Sequence, residues 1–149
     1  MSATKLPNYP QIQPAPNFDS TQDNPSSQLT DIDIYFEGGN VTGIIVTFAD
    51  QSQKTYGNPK GHNNGLGSLN TAQGALSLLE IYWDSEHSGR LSGLTINSTE
   101  MGHLDVKNNH KWTFSSTKLM NIYGIYGYEG DSKVRTIGFY IAPYSPNTP

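Results

Sequence analysis

The sequence predicts an all-β domain, from a repeated hairpin pattern, regular apolar alternation and a turn-rich composition. A signature of alternating apolar residues around a small residue recurs at residues 41–46, 91–96 and 134–139, at intervals of 50 and then 43 residues. Each copy follows a strand-like segment and a polar loop, and a period of this size is typical of a small symmetric array of sheets. The 149 residues suffice for one domain with a real core, and the 15 glycines suit many turns.

Composition excludes several classes of function. The net charge of −4 and the scattered lysines and arginines give no electrostatic footprint for nucleic acid. No apolar stretch is long enough for membrane insertion, and the absence of cysteine excludes disulfides and thiolate sites. The N-terminus lacks the apolar core of a classical signal peptide. We therefore expect a cytoplasmic protein, or one exported without a classical signal peptide, and no cofactor.

The predicted domain occupies residues 17–143. Residues 1–16 are polar and rich in proline and read as an extended, solvated N-terminal tail, with docking onto the domain as the less favoured alternative. Residues 144–149 form a short C-terminal tail. Asn17, Phe18 and Asp19 are expected to begin a short edge strand.

The first copy, Leu29 to Asp50, alternates cleanly, because Ile32, Ile34 and Phe36 share one face. Residues 37–40 (Glu-Gly-Gly-Asn) predict a turn, since glycine accepts positive φ. A short third strand is predicted at 54–57, and residues 58–68 predict a loop.

The second copy is less certain at its start, since residues 71–83 also fit a helical stripe. The register with the other copies favours a strand from Leu76 to Trp83. Residues 84–90 then form its loop, and 91–96 the return strand. Residues 103–106 and 111–114 are expected to pair with each other, and the third copy runs from Met120 to Pro143. The total is ten to twelve short strands and no helix.

The order and spacing of these segments resemble the jacalin-related lectins. The anchors are residues 41–50 (VTGIIVTFAD) with 54–57 (KTYG), and 122–124 (IYG) leading to 137–141 (IGFYI). The resemblance covers roughly residues 17–143 and implies a β-prism I fold, in which three antiparallel Greek-key sheets have pseudo-threefold symmetry. It also implies a non-enzymatic binder of mannose-type or galactose-type glycans.

The resemblance implies a pocket made by the last hairpin loop and a glycine-rich loop near the N-terminus. In that hairpin loop the family places an aspartate where this sequence has Arg135, and no glycine pair is evident around residues 17–19. A shifted loop in which Asp131 supplies the carboxylate is the alternative. The strands therefore match the family better than the loop does.

The candidate carbohydrate-binding residues lie chiefly in residues 126–135, where aromatic rings, carboxylates and glycines come together. A second loop, 83–90, places an aromatic ring beside acid and base. The predicted contacts are Tyr126, Tyr128, Gly130, Asp131, Ser132, Lys133, Arg135, Trp83 and Asp84. The 37–40 turn ranks third.

Catalysis has little support in the sequence. The four histidines lack zinc-ligand spacing, and no nucleophile-elbow or phosphate-binding motif is present. Paired carboxylates such as Glu129 and Asp131 are compatible with a glycosidase, but such pairs are more often a solvated strand face. We therefore predict a glycan-binding lectin domain, with homo-oligomers adding avidity. The alternative is a protein-interaction or oligomerisation module that does not bind sugar.

Overall fold

The computed structural model describes residues 3–65, 75–84, 90–102 and 109–144. Within these ranges the chain is built almost entirely of antiparallel strands, so the predicted all-β class is confirmed. The strands are β1 (Thr4–Lys5), β2 (Phe18–Asp19), β3 (Leu29–Glu37), β4 (Asn40–Phe48), β5 (Gln53–Gly57), β6 (His62–Gly65), β7 (Leu76–Asp84), β8 (Arg90–Ile96), β9 (Thr99–Gly102), β10 (Asn109–Gly127), β11 (Glu129–Gly130), β12 (Lys133–Val134) and β13 (Gly138–Pro143).

One helical turn, α1 (Ser20–Asp23), follows β2, although no helix was predicted. It begins at Asp19, whose carboxylate accepts a hydrogen bond from the Thr21 backbone N–H at 2.9 Å. This is a standard N-cap, and it holds a turn too short to form alone. No helix in the described part of the chain has the length and apolar character that crossing a membrane requires.

Apart from the small β11–β12 hairpin, the described strands form three groups of four around one core, and β10 belongs to two of these groups. The first has the order β5-β4-β3-β6, and the second has the matching order β9-β8-β7-β10. The long strand β10 then turns from β7 to β13, so its second half opens the third group. The hairpins β3–β4 and β7–β8 also share a bulge, after the pairs Tyr35–Gly43 and Tyr82–Gly93. This repetition matches the predicted pseudo-threefold arrangement.

The N-terminal segment completes the third group. Strand β1 pairs with β13, and β2 pairs with the end of β10, so both outer strands come from residues before 20. The backbone N–H of Leu6 donates to the Phe139 carbonyl at 2.9 Å, and Tyr9 and Ile137 form a bridge. The prediction of a solvated tail is therefore wrong for residues 4–9, because they satisfy the open edge of β13.

The core lies between the three groups and consists of the inward residues of each hairpin. Ile32, Ile34, Ile44, Val46, Leu79, Ile81, Leu94, Ile96, Ile122, Ile125, Ile137 and Phe139 are all fully buried. The period-two alternation seen in the sequence is therefore the alternation between core and surface.

Most of the predicted short strands are present in the structure. The edge strand at 18–19, the third strand at 54–57, and the choice of strand over helix at 76–83 are confirmed. The predicted 58–68 loop is wrong in part, because β6 pairs with β3 there. Residues 111–114 pair with β7, while their predicted partner, 103–106, lies outside the described residues. Residues 85–89 and 145–149 also lie outside them.

Candidate functional site

The tip of the last hairpin carries a small hairpin of its own. Strands β11 and β12 pair through Glu129–Val134 and Gly130–Lys133, and Asp131 with Ser132 forms the connecting turn. Both turn residues have positive φ, 54° and 60° respectively. Two consecutive positive φ values fit a type I′ turn, which glycine, asparagine and aspartate favour, so Ser132 is the unusual residue of the two. Other side chains held in this region cost about 1–2 kcal/mol per residue.

One side of this tip is fastened by Asn17, which precedes β2. Its side-chain amide donates to the Glu129 carbonyl at 2.9 Å, and its side-chain oxygen accepts the Glu129 N–H at 2.8 Å. The Glu129 carboxylate in turn accepts the Gly57 N–H of β5 at 2.8 Å. The tip is therefore tied to both the N-terminal segment and the first sheet.

The base of the tip is fastened by the buried hydroxyl of Thr136. This oxygen accepts the Tyr128 N–H and the Asn8 side-chain amide, each at 2.9 Å. The Tyr128 carbonyl accepts the Arg135 N–H at 2.8 Å. The backbone on both sides of the turn is thus fixed, so the turn is presented rigidly.

The groups exposed at the tip are few and polar. The Asp131 side chain is 90% exposed and its carboxylate lies 3.8 Å from the Arg135 guanidinium. Arg135 Nε is buried without a hydrogen-bond partner among the described residues. The Tyr128 ring lies against Gly130, where an added Cβ would sit 2.9 Å from the tyrosine hydroxyl. Ser132 is exposed and Lys133 is half-buried.

The structure separates Tyr126 from this tip. Its ring is buried within β10, its hydroxyl donates to the Leu6 carbonyl, and burial raises its pKa. The Lys5 ammonium lies 4.5 Å from the centre of the ring. Tyr126 is therefore a buried residue of β10, whereas the other residues predicted in 126–135 lie in or beside the small hairpin.

Trp83 lies away from the tip, against the N-terminal segment and β10, and no described contact joins Asp84 to the tip. The Trp83 ring stacks on Tyr9 at 5.4 Å and on His110 at 5.9 Å, and Tyr9 also stacks on Trp112 at 4.9 Å. Asp84 is 7% exposed. Trp83 therefore helps anchor the N-terminal segment, and its predicted contact with carbohydrate stays a prediction, as does that of Asp84.

Behind the tip, the structure contains a cleft of about 470 Å³ between α1, β2, β5 and the end of β10. Its base includes Tyr56, whose hydroxyl donates to the Asp23 carboxylate at 2.6 Å. Burial and then this hydrogen bond raise the pKa of Tyr56. Nearby, burial and then a hydrogen bond to Asp19 raise the pKa of Tyr140 to about 12. Both phenols stay protonated at neutral pH and act as donors.

The sequence pattern missed the residues that hold the site in place. Asn8, Asn17 and Thr136 carry no motif, because their roles depend on contacts across more than 100 residues of sequence or on burial. No cluster of three or more potential metal ligands occurs in the described ranges.

The fold is shared with known lectins. No family model matches the sequence, and no curated protein matches it. Among solved structures, the Calsepa lectin in complex with a biantennary N-glycan has a TM-score of 0.67 at 17% identity, covering 96% of this chain and 98% of its own. AcmJRL, a mannose-binding jacalin-related lectin from Ananas comosus, has a TM-score of 0.62 at 17% identity, covering 95% and 99%.

A third similar structure is a lamprey immune protein, with a TM-score of 0.56 at 19% identity. The match covers 77% of this chain but 37% of the lamprey chain, so the shared part is one portion of a longer protein. These identities are low, and the agreement lies in the arrangement of strands. The chain has the β-prism fold of the jacalin-related lectins.

Proposed function

We propose that this protein binds glycans of the mannose or galactose type through the tip of its last hairpin, within residues 126–135. The observation that carries the proposal is the turn itself. Asp131 and Ser132 occupy a backbone conformation that two glycines occupy at the first hairpin, Gly38 at 61° and Gly39 at 84°. Backbone strain of this kind concentrates at functional sites, where side chains are needed.

The chemistry of the tip suits sugar hydroxyls. The exposed Asp131 carboxylate accepts hydroxyl protons, and the Arg135 guanidinium and the Ser132 hydroxyl donate to sugar oxygens. The Tyr128 ring offers a flat apolar surface beside them. Arg135 replaces the acid that the family pattern places there, so Asp131 supplies the carboxylate in this proposal.

Rigidity supports the same proposal. Because the tip is fastened through Asn17, Thr136 and the Glu129 carboxylate, little conformational entropy is lost on binding. Exposed polar contacts nevertheless give weak affinity at one site. Useful avidity therefore needs several sites or a homo-oligomer.

Two proteins of similar structure support glycans as the class of ligand, since AcmJRL is mannose-binding and the Calsepa lectin is in complex with an N-glycan. Glu129 and Asp131 act here in structure and binding, without turnover of the sugar. The Glu129 carboxylate already accepts the Gly57 N–H, so one of its oxygens is engaged in holding the tip in place.

A glycan array with the intact protein tests the proposal. We expect signal on mannose- or galactose-terminated glycans, and loss of that signal in Asp131→Ala and Tyr128→Ala. The control is Asn40→Ala at the first hairpin, which should bind as wild type does. Binding that persists in both tip variants would overturn the site. No signal at high protein concentration, with soluble oligomers seen by ultracentrifugation, would favour the interaction module.

A further inference from the structure

The cleft behind the hairpin tip has a chemistry of its own. Its volume of about 470 Å³ falls within the range of about 300–1,000 Å³ typical of small-molecule sites. The lining comes from four separate segments of the chain. The residues that matter most are Lys5, Asp23, Lys54, Tyr56, Tyr126 and Glu129.

Aromatic rings form a fixed base for this cleft. Phe18 stacks on Tyr56 at 4.3 Å, and both rings are almost fully buried. The Tyr56 and Tyr126 hydroxyls are committed to Asp23 and to the Leu6 carbonyl, which fixes the ring positions. Rings held in this way make a rigid base, and the Lys5 ammonium lies 4.5 Å from the centre of the Tyr126 ring.

Charged groups surround these rings without neutralising one another. Asp23 and Glu129 each engage one carboxylate oxygen, and no described residue hydrogen-bonds the other. Lys5 and Lys54 also line the cleft, and neither ammonium forms an ion pair with a described carboxylate. The cleft therefore presents two carboxylate oxygens as acceptors and the Lys54 ammonium as a donor, whereas the Lys5 ammonium lies over the Tyr126 ring.

A ligand that fits this lining has several hydroxyl groups. A hydroxyl both donates and accepts, so it suits a carboxylate on one side and an ammonium on the other. The lining contains two lysines and three carboxylates, with Asp19 as the third, so it does not strongly favour a charged ligand. We propose that the cleft is a second carbohydrate site, separate from the tip, that binds one neutral sugar residue.

This inference goes beyond the proposed function, because it needs neither Asp131 nor the turn. Lys54 is the best residue to change. It is exposed and lies on the same face of β5 as Tyr56, so removing its side chain leaves the fold intact. Asp23→Asn is a second variant, since an amide oxygen can still accept the Tyr56 hydroxyl.

Amide NMR shifts with free monosaccharides provide the test, with neutral mannose, galactose, glucose and N-acetylglucosamine as probes and glucuronate and glucosamine as charged counterparts. The reporter of the cleft is the Gly57 amide, because it donates to the Glu129 carboxylate. The Asp131 and Ser132 amides report the tip. We expect a neutral sugar to shift Gly57, and Lys54→Ala to weaken that binding about threefold to tenfold, the loss of one hydrogen bond.

The controls are Lys118→Ala, an exposed lysine that is not part of the cleft, and Asp131→Ala, and both should leave the Gly57 response unchanged. Shifts confined to the Asp131 and Ser132 amides would contradict sugar binding in the cleft and would support sugar binding at the tip. Shifts at Gly57 that survive Asp131→Ala, without any response at the tip, would support the cleft and contradict the proposed function. A Gly57 amide that shifts with the charged sugars alone would contradict a site for a neutral sugar. A Gly57 amide that shifts with none of the six sugars would contradict the cleft site as well.

Discussion

The tips of the first and last hairpins share one turn geometry and differ in almost everything else. The first uses Gly38 and Gly39, and an added Cβ at Gly38 would meet nothing within 4 Å. The last uses Asp131 and Ser132 at similar angles, and its flanks are fastened by three separate groups of contacts. The last hairpin therefore places side chains at the turn positions where the first hairpin has glycine.

The same two hairpins also differ in their supports. The first sheet takes its outer strands, β5 and β6, from the chain that directly follows its hairpin. The third sheet takes both from the N-terminus, so the last hairpin depends on residues far away in sequence. Four predictions test how the supports and the turn residues of the two hairpins affect stability.

The largest expected effect is that of removing residues 1–9. This deletion loses three backbone hydrogen bonds to Phe139 and Ile137 and the stacking of Tyr9 on two tryptophans. At about 1 kcal/mol for each interaction, the free energy of unfolding should fall by about 3–5 kcal/mol. Urea unfolding followed by tryptophan fluorescence measures it. Tyr9→Phe keeps the ring and should behave as wild type, and a deletion with unchanged stability would show that the segment does not support the sheet.

The second prediction exchanges residues between the equivalent turn positions. Ser132→Gly should raise the free energy of unfolding by about 0.5–1 kcal/mol, because it relieves a positive φ at some cost in unfolded-state entropy. Gly39→Ser should lower it by a similar amount or more. Opposite signs in thermal or urea unfolding are expected. Destabilisation by both changes would mean that Ser132 makes a stabilising contact and that its turn is not strained.

The third prediction concerns the fastening by Asn17. Asn17→Ala should loosen the tip locally, so the Glu129 amide should exchange faster with solvent. The free energy of unfolding should fall by about 1 kcal/mol or less, since both hydrogen bonds of Asn17 are exposed. Asn40→Ala is the matched control, because within the described part of the chain that side chain hydrogen-bonds the Gly38 carbonyl of its own turn and no other group. Equal exchange at Glu129 in wild type and Asn17→Ala would remove the argument for a rigid tip.

The fourth prediction concerns stability at high pH. The Tyr140 hydroxyl donates to Asp19, and its pKa is raised to about 12 from an ordinary value of 10.0. A raised folded-state pKa stabilises the protein below pH 10, and this contribution is lost as the pH rises from 10 to 12. Tyr140→Phe should therefore show a flatter fall in stability over that range. An identical pH profile would contradict the assigned hydrogen bond.

The sequence predicted the strands well, because burial imposes a period of two on segments such as Leu29–Glu37 and Arg90–Ile96. It missed β1, β6 and β9, since strands of two to four residues are too short to show a period and β6 reads as asparagine and glycine. The loop composition around Asp131 indicated the tip as a candidate site, and its binding of sugar stays a prediction. The cleft could not be predicted, because it joins Lys5, Lys54 and Glu129, which nothing in the local sequence relates.

The most direct test of the account is an amide NMR titration of the intact protein with a mannose- or galactose-terminated oligosaccharide chosen from the array. The account predicts shifts at Tyr128, Asp131, Ser132 and Arg135, with the 37–40 turn silent. Equal shifts at both tips, or shifts at the first hairpin alone, would contradict the specialisation of the last hairpin.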